Sequence, residues 1–263
     1  MKETNPSQVP GTYYFLNLGC PKNLVDAERT AARLEVAGWK GVLSPEDAEI
    51  VVVTTCAFIS EAEEESVDEI LSAASRKREG QKLVVLGCLV SREGGALPEL
   101  FPEVDLFLGV DEMESLPERL MDLKSEVQPE KRSPAAASGR KLFTPPHIAY
   151  LRIADGCSNH CSFCTIPSIR GELRSCDRKE ILDEAEGLVD AGVRELVVIA
   201  QDTGAWGLER KGGERLCSLL EDLSKTAGAT WIRLMYLHPA HIDLDRLLRL
   251  LESGIICRYL DLP

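Results

Sequence analysis

Apolar residues in this chain come in short β-branched runs, separated by longer stretches in which they return every three or four positions. The runs predict buried strands and the longer period predicts helices with one buried face. Residues 12–18 read as a first strand, ending at Gly19, Cys20 and Pro21. A helix follows from about Lys22 to Gly38, with Leu24, Ala27, Ala31 and Leu34 on one face. Residues 49–54 form a second strand that ends at Thr55 and Cys56. The acidic run from Glu61 to Glu65 suits the start of the next helix, because carboxylates favour the positive end of the helix dipole. A third strand over 82–86 ends at Gly87 and Cys88; a fourth is expected over 104–110, then a helix over 116–123.

The alternation resumes after a stretch rich in proline, charge and small residues, which reads as an exposed connector. Strands are expected over 148–153, 195–200, 231–236 and from Cys257. Helices are expected over 179–191, 216–226 and 244–252, the first with Ile181, Leu182, Ala185, Leu188 and Val189 inward. The fold class is therefore α/β. It comprises an N-terminal open parallel-sheet βαβ domain over 1–125, a linker over 126–145, and a partial (βα) barrel over 146–263. Four strands do not close a barrel, so the chain is expected to be a fragment.

Chemistry concentrates in cysteine. Cys157, Cys161 and Cys164 lie on a loop leaving a strand, spaced C-x3-C-x2-C, and can reach one soft metal centre. An iron–sulfur cube takes four thiolates, so three from one loop leave one iron open to another ligand. Zinc would want a second cysteine pair at short spacing, which this chain lacks, and His160 sits inside the loop. Cys20, Cys56 and Cys88 each follow a strand, and an open parallel sheet gathers such ends on one edge, where ligands bind. That placement favours a second three-thiolate site over three independent buried thiols. Cys217 and Cys257 read as core thiols, and His238 and His241 as members of an exposed loop. Cys176 has no assigned ligand role.

Length and composition add limits. With 263 residues, 44% of them hydrophobic, two cores can form. No run is apolar enough for a membrane span and no secretory segment opens the chain, so a cytoplasmic protein with reduced thiols is expected, without a membrane partner. The net charge of −13 opposes nucleic acid as the direct substrate and suits a basic protein partner. For most of that charge, solubility alone is at least as good a reading.

The Cys157–Cys161–Cys164 loop, with Phe163 before its last cysteine, resembles the signature of the radical S-adenosylmethionine (radical SAM) enzymes. The whole chain resembles their methylthiotransferase family, and four local segments resemble its ribosomal-protein branch: 17–26, 166–171, 200–203 and 259–263. The resemblance implies two 4Fe–4S clusters and SAM as cofactors. Cys157, Cys161 and Cys164 would ligate the SAM-cleaving cluster, and Cys20, Cys56 and Cys88 an auxiliary one that carries the sulfur to be donated. It also implies a methylthio group added to the β-carbon of an aspartate on a small-subunit ribosomal protein. An electron donor such as flavodoxin or ferredoxin and a C-terminal TRAM domain, absent from this chain, belong to the same expectation. Phe163, Gln201 and Asp202 become candidate SAM contacts, though the last two could equally cap a turn. The family typically has arginine where Cys176 stands. Two alternatives stay open: the tRNA adenosine branch of the same family, and a non-enzymatic iron–sulfur carrier or redox protein.

Overall fold

The computed structural model describes residues 11–124, 139–226, 228, 229, 231–252 and 254–263. Most of the expected linker, residues 126–138, lies outside the described residues. The chain divides into two compact units, Met1–Lys141 and Leu142–Pro263, both α/β.

The first unit runs β1 (Thr12–Asn17), α1 (Pro21–Val36), β2 (Lys40–Gly41), β3 (Ile50–Thr55), α2 (Ser60–Arg76), β4 (Lys82–Gly87), α3 (Cys88–Glu93), α4 (Leu97–Leu100), β5 (Leu106–Leu108) and α5 (Leu116–Lys124). Its five strands form one parallel sheet in the order β2-β1-β3-β4-β5. Every residue of β3 is buried, which is why that strand is a continuous apolar and threonine run. The register sets Asn17 opposite Thr54 and Thr55 opposite Gly87, so β1, β3 and β4 end nearly level. Cys56 and Cys88 are the next residues after the two paired ends, and Cys20 opens α1 beyond β1.

Three details depart from the expectations. Strand β2, two residues on the sheet's edge, carries no apolar run that could have announced it. The fourth expected strand shortens to Leu106–Leu108, because Asp105 turns its carboxylate to Lys77 (2.6 Å), Lys82 (2.9 Å) and the Leu83 amide (2.8 Å). Helix α1 is buried on more than its apolar stripe: Leu24 is only half-buried, whereas Lys22, Asn23 and Glu28 are buried. Glu28 faces Arg140 at 3.3 Å. Arg140, read as part of an exposed connector, has a side chain only 3% exposed, because a buried carboxylate needs a cation beside it.

The second unit runs β6 (Ile148–Arg152), β7 (Ala154–Asp155), α6 (Ile166–Arg170), β8 (Arg174–Ser175), α7 (Arg178–Asp190), β9 (Glu195–Ile199), α8 (Leu216–Leu223), β10 (Trp231–Leu234), α9 (Leu244–Leu251) and β11 (Ile256–Leu260). Strands β11-β10-β9-β6 form a parallel four-stranded sheet in that order, a partial (βα) barrel. Strands β7 and β8 make a short antiparallel ribbon that the sequence pattern did not announce. Helix α7 begins where the Asp177 carboxylate accepts the Lys179 amide at 2.8 Å. Its Ile181, Ala185, Leu188 and Val189 enter the core; Leu182 is partly buried. Trp206 is fully buried in that core and donates from Nε1 to the Cys176 carbonyl at 3.2 Å. Cys217 is buried in the core, while Cys257, expected there too, is only half-buried on the last strand. Among the described residues no helix is long and apolar enough to cross a membrane.

Candidate metal centres

In the first unit the level strand ends bring three cysteine-bearing segments together. Gly19 has φ +89°, and a Cβ there would stand 2.7 Å from the Cys56 Cβ and 2.8 Å from Asn23 Nδ2. Only glycine lets the segment before Cys20 lie this close to Cys56. Asn23, 2% exposed, spans the same edge. Its Nδ2 donates to the carbonyls of Thr55 (3.0 Å) and Leu18 (3.4 Å), and its Oδ1 accepts from the Cys88 thiol at 3.4 Å. The Cys56 amide donates to the Ser66 hydroxyl at 3.0 Å, which in turn donates to the Cys56 carbonyl at 2.8 Å. Cys56 and Cys88 are buried and Cys20 is half-buried. Three soft donors on one strand edge, one of them reachable from solvent, suit an iron–sulfur cluster with an open iron.

In the second unit the cysteine loop leaves β7 and returns to β8. The Cys157 amide donates to the Gly171 carbonyl, and the Cys164 amide to the Cys161 carbonyl, both at 3.0 Å. All three thiols are half-buried. Burial raises the Cys157 thiol above its ordinary value, the Asn159 amide opposes that, and Asp202, Cys164 and Cys161 push it further up. A raised Cys157 thiol gives up its proton most readily to a cationic centre that supplies compensating charge. The donor set therefore fits a cluster. His160 lies on the same loop with φ +48°, turned outward to Glu172 at 3.6 Å and two-thirds exposed. Phe163 is 85% exposed.

Beneath the loop lies a polar layer that sequence reading mostly missed. Asp155 accepts from Arg170 (3.2 Å to each oxygen), from Gln201 Nε2 (2.9 Å) and from the Gly156 amide (2.9 Å), with Arg152 at 3.6 Å. Burial would raise its carboxyl, but Arg170, Arg152, the Gly156 amide and Gln201 together hold it below the usual value. Gln201 Oε1 is buried with no hydrogen-bond partner among the described residues. Asp202, 3% exposed, accepts from the Asn159 side chain (3.0 Å), from His241 Nδ1 (2.6 Å) and from the His238 amide (3.4 Å). Asp202 thus holds the cysteine loop through Asn159. The register explains the meeting: Arg152 pairs with Ile199 and Leu234 with Val198, so the segments after β6, β9 and β10 share one edge. Asp202, His238 and His241 have ligand atoms within 4.8 Å of one another, a grouping accounted for by these hydrogen bonds. Cys176 lies away from the loop, its amide on the Ile153 carbonyl and its thiol on that of Arg152. The nearest sequence signal for this layer was the polar residue directly following each apolar run.

Residues 12–109 match the family model described as uncharacterized protein family UPF0004. The chain is 45% identical over 261 residues to ribosomal protein uS12 methylthiotransferase RimO of Syntrophus aciditrophicus, covering 95% of this chain and 58% of that protein. It is 38% identical over 282 residues to RimO of Akkermansia muciniphila (97% and 62%) and 40% identical over 256 residues to RimO of Clostridium botulinum (95% and 57%). The chain thus spans about three-fifths of the length of these curated relatives. Among solved structures, the radical SAM methyltransferase TsrM of Kitasatospora setae matches with a TM-score of 0.63 at 14% identity, over 93% of this chain and 57% of that one. The cobalamin-dependent SAM radical enzyme OxsB matches with a TM-score of 0.55 at 12% identity, over 93% and 42%. At such identities the likeness shows the α/β fold.

Proposed function

We propose that this chain, a homologue of the RimO methylthiotransferases along 95% of its length, carries two three-thiolate iron–sulfur sites and the SAM-binding edge of an enzyme that modifies ribosomal protein uS12. The observation that carries the reading is the pair of cysteine triads, each at the carboxyl edge of a parallel sheet in its own unit. Cys20, Cys56 and Cys88 would hold one 4Fe–4S cluster in a domain over 1–125, and Cys157, Cys161 and Cys164 the other in the domain over 146–263. Bound there, the clusters and SAM would supply reductive SAM cleavage to a 5′-deoxyadenosyl radical and the sulfur of a methylthio group. The acceptor is the β-carbon of an aspartate on uS12, and a flavodoxin or ferredoxin serves as reductant.

The chain's own residues prepare this chemistry. Asp202 and Asn159 fix the cysteine loop to the sheet edge. The Asp155–Arg170 pair compensates the buried Asp155 carboxylate beside the loop. Gln201 keeps its amide nitrogen on Asp155 and leaves Oε1 as an acceptor for a donor group of the bound cofactor. Phe163 stands exposed beside Cys164, available to cover a ligand and exclude water.

The test is iron and sulfide content after anaerobic reconstitution, with a C20A/C56A/C88A variant beside the parent. About eight irons in the parent and four in the variant are expected. Four in both would overturn the two-cluster reading. A methylthio group appearing on tRNA instead of uS12 in assays of the full-length protein would move the substrate to the tRNA branch.

A further inference from the structure

We infer that Asn23 is the positioning residue of the first-unit cluster, one side-chain amide that ties together the three segments carrying its thiolates. The inference rests on the reading of Cys20, Cys56 and Cys88 as ligands of a single cluster.

The three segments are far apart in sequence and share no strand. Asn23 joins them: Nδ2 bonds the carbonyl of Leu18, two residues before Cys20, and that of Thr55, directly before Cys56, while Oδ1 bonds the thiol of Cys88 itself. The amide is buried and sits on the first turn of α1, three residues after Cys20, so the helix fixes where it projects. Its orientation is set by chemistry, since only NH2 can donate to two carbonyls and only the oxygen is left for Cys88. No other proteinogenic side chain of this size offers two donors and an acceptor in one plane.

The same orientation links the edge to metal binding. Ligation replaces the Cys88 proton with iron, and Oδ1 then faces a thiolate instead of a donor. Turning the amide would give that sulfur an N–H, but would set Oδ1 against the Leu18 and Thr55 carbonyls. Neither orientation satisfies all three partners, so occupancy of the cluster is felt at both neighbouring segments through this one residue. Residues in this outer position typically change metal affinity 10–100-fold when replaced.

The experiment uses the full chain carrying C157A/C161A/C164A, so that only the first-unit cluster can assemble. N23A and N23D are compared with this parent by iron content, chelator competition and the midpoint potential of the cluster. Asp keeps the size and the acceptor but removes both donors and adds charge. The chelator concentration for half release is expected to fall about 10–100-fold in both variants. The potential should be more negative in N23D than in N23A, since a carboxylate beside Cys88 disfavours added electrons; a merely structural loss would not impose that order. In the reciprocal C20A/C56A/C88A background, N23A should leave the other cluster's chelator response unchanged, which also reports that the chain still folds. Parent-like release and potentials in both variants would overturn the role of Asn23. A C157A/C161A/C164A parent that holds no iron would instead overturn the cluster reading, and this inference with it.

Discussion

Gly156 and Gly171 allow a paired experiment on what shapes the Cys157 loop. Both have positive φ, +70° and +75°, and Gly171 pairs it with ψ −169°, a region open essentially to glycine alone, so alanine at either position should cost about 1–3 kcal/mol for the backbone conformation alone. They differ in space. A Cβ at Gly171 meets nothing within 4 Å, whereas one at Gly156 would stand 2.1 Å from the Glu172 carbonyl oxygen and 2.6 Å from that of Gly171. Relieving the second contact requires the two backbone segments to part by roughly 1 Å, a strain of about 1–3 kcal/mol. That parting also stretches the Cys157 amide bond to Gly171, now 3.0 Å, worth about 1 kcal/mol. G156A is therefore expected to destabilise the second unit by about 3–7 kcal/mol and G171A by about 1–3 kcal/mol. At about 4 °C per kcal/mol for a unit of this size, the transition followed by Trp206 fluorescence should fall by about 12–28 °C and 4–12 °C respectively. Iron bound in a C20A/C56A/C88A background should drop with G156A and persist with G171A. Equal melting shifts and equal iron for the two variants would refute the steric argument.

Asp105 gives a pH signature. Burial works against its charge, but Lys77, Lys82 and the Leu83 amide more than compensate, so its carboxyl lies below the ordinary value of 3.8. A lowered folded value means the stabilisation is fully present above 3.8 and is lost as pH falls through the folded value. D105N should cost about 1–2 kcal/mol in urea titrations at pH 7, and the gap from the parent should close at more acidic pH; a constant gap would refute it. Cys217 is 4% exposed, and burial raises its thiol, so in the native protein it should resist alkylation until denaturant is added. C217A should leave bound iron unchanged, and a loss of iron would make that thiol more than a core residue.

Much of the architecture was readable from short-range pattern, for a physical reason. A strand covered on both faces is apolar along most of its length, so β3 and β9 announce themselves, and an amphipathic helix repeats its buried face at its own pitch. The C-x3-C-x2-C loop is equally local, since all three ligands fall within one eight-residue segment. Placement of Cys20, Cys56 and Cys88 on one edge followed from parallel topology before any side chain was located. Polar burial was different. Lys22, Asn23, Glu28, Asp155, Arg170 and Asp202 carry groups that pattern assigns to the surface, and each is buried wholly or in part. What permits that is a partner distant in sequence: Thr55 and Cys88 for Asn23, Arg140 for Glu28, Arg170 and Gln201 for Asp155, His241 for Asp202. Hydrophobic burial depends on a residue's own composition and so leaves a trace in the chain. Burial of a polar group depends on who stands opposite, and the folded chain alone supplies that neighbour.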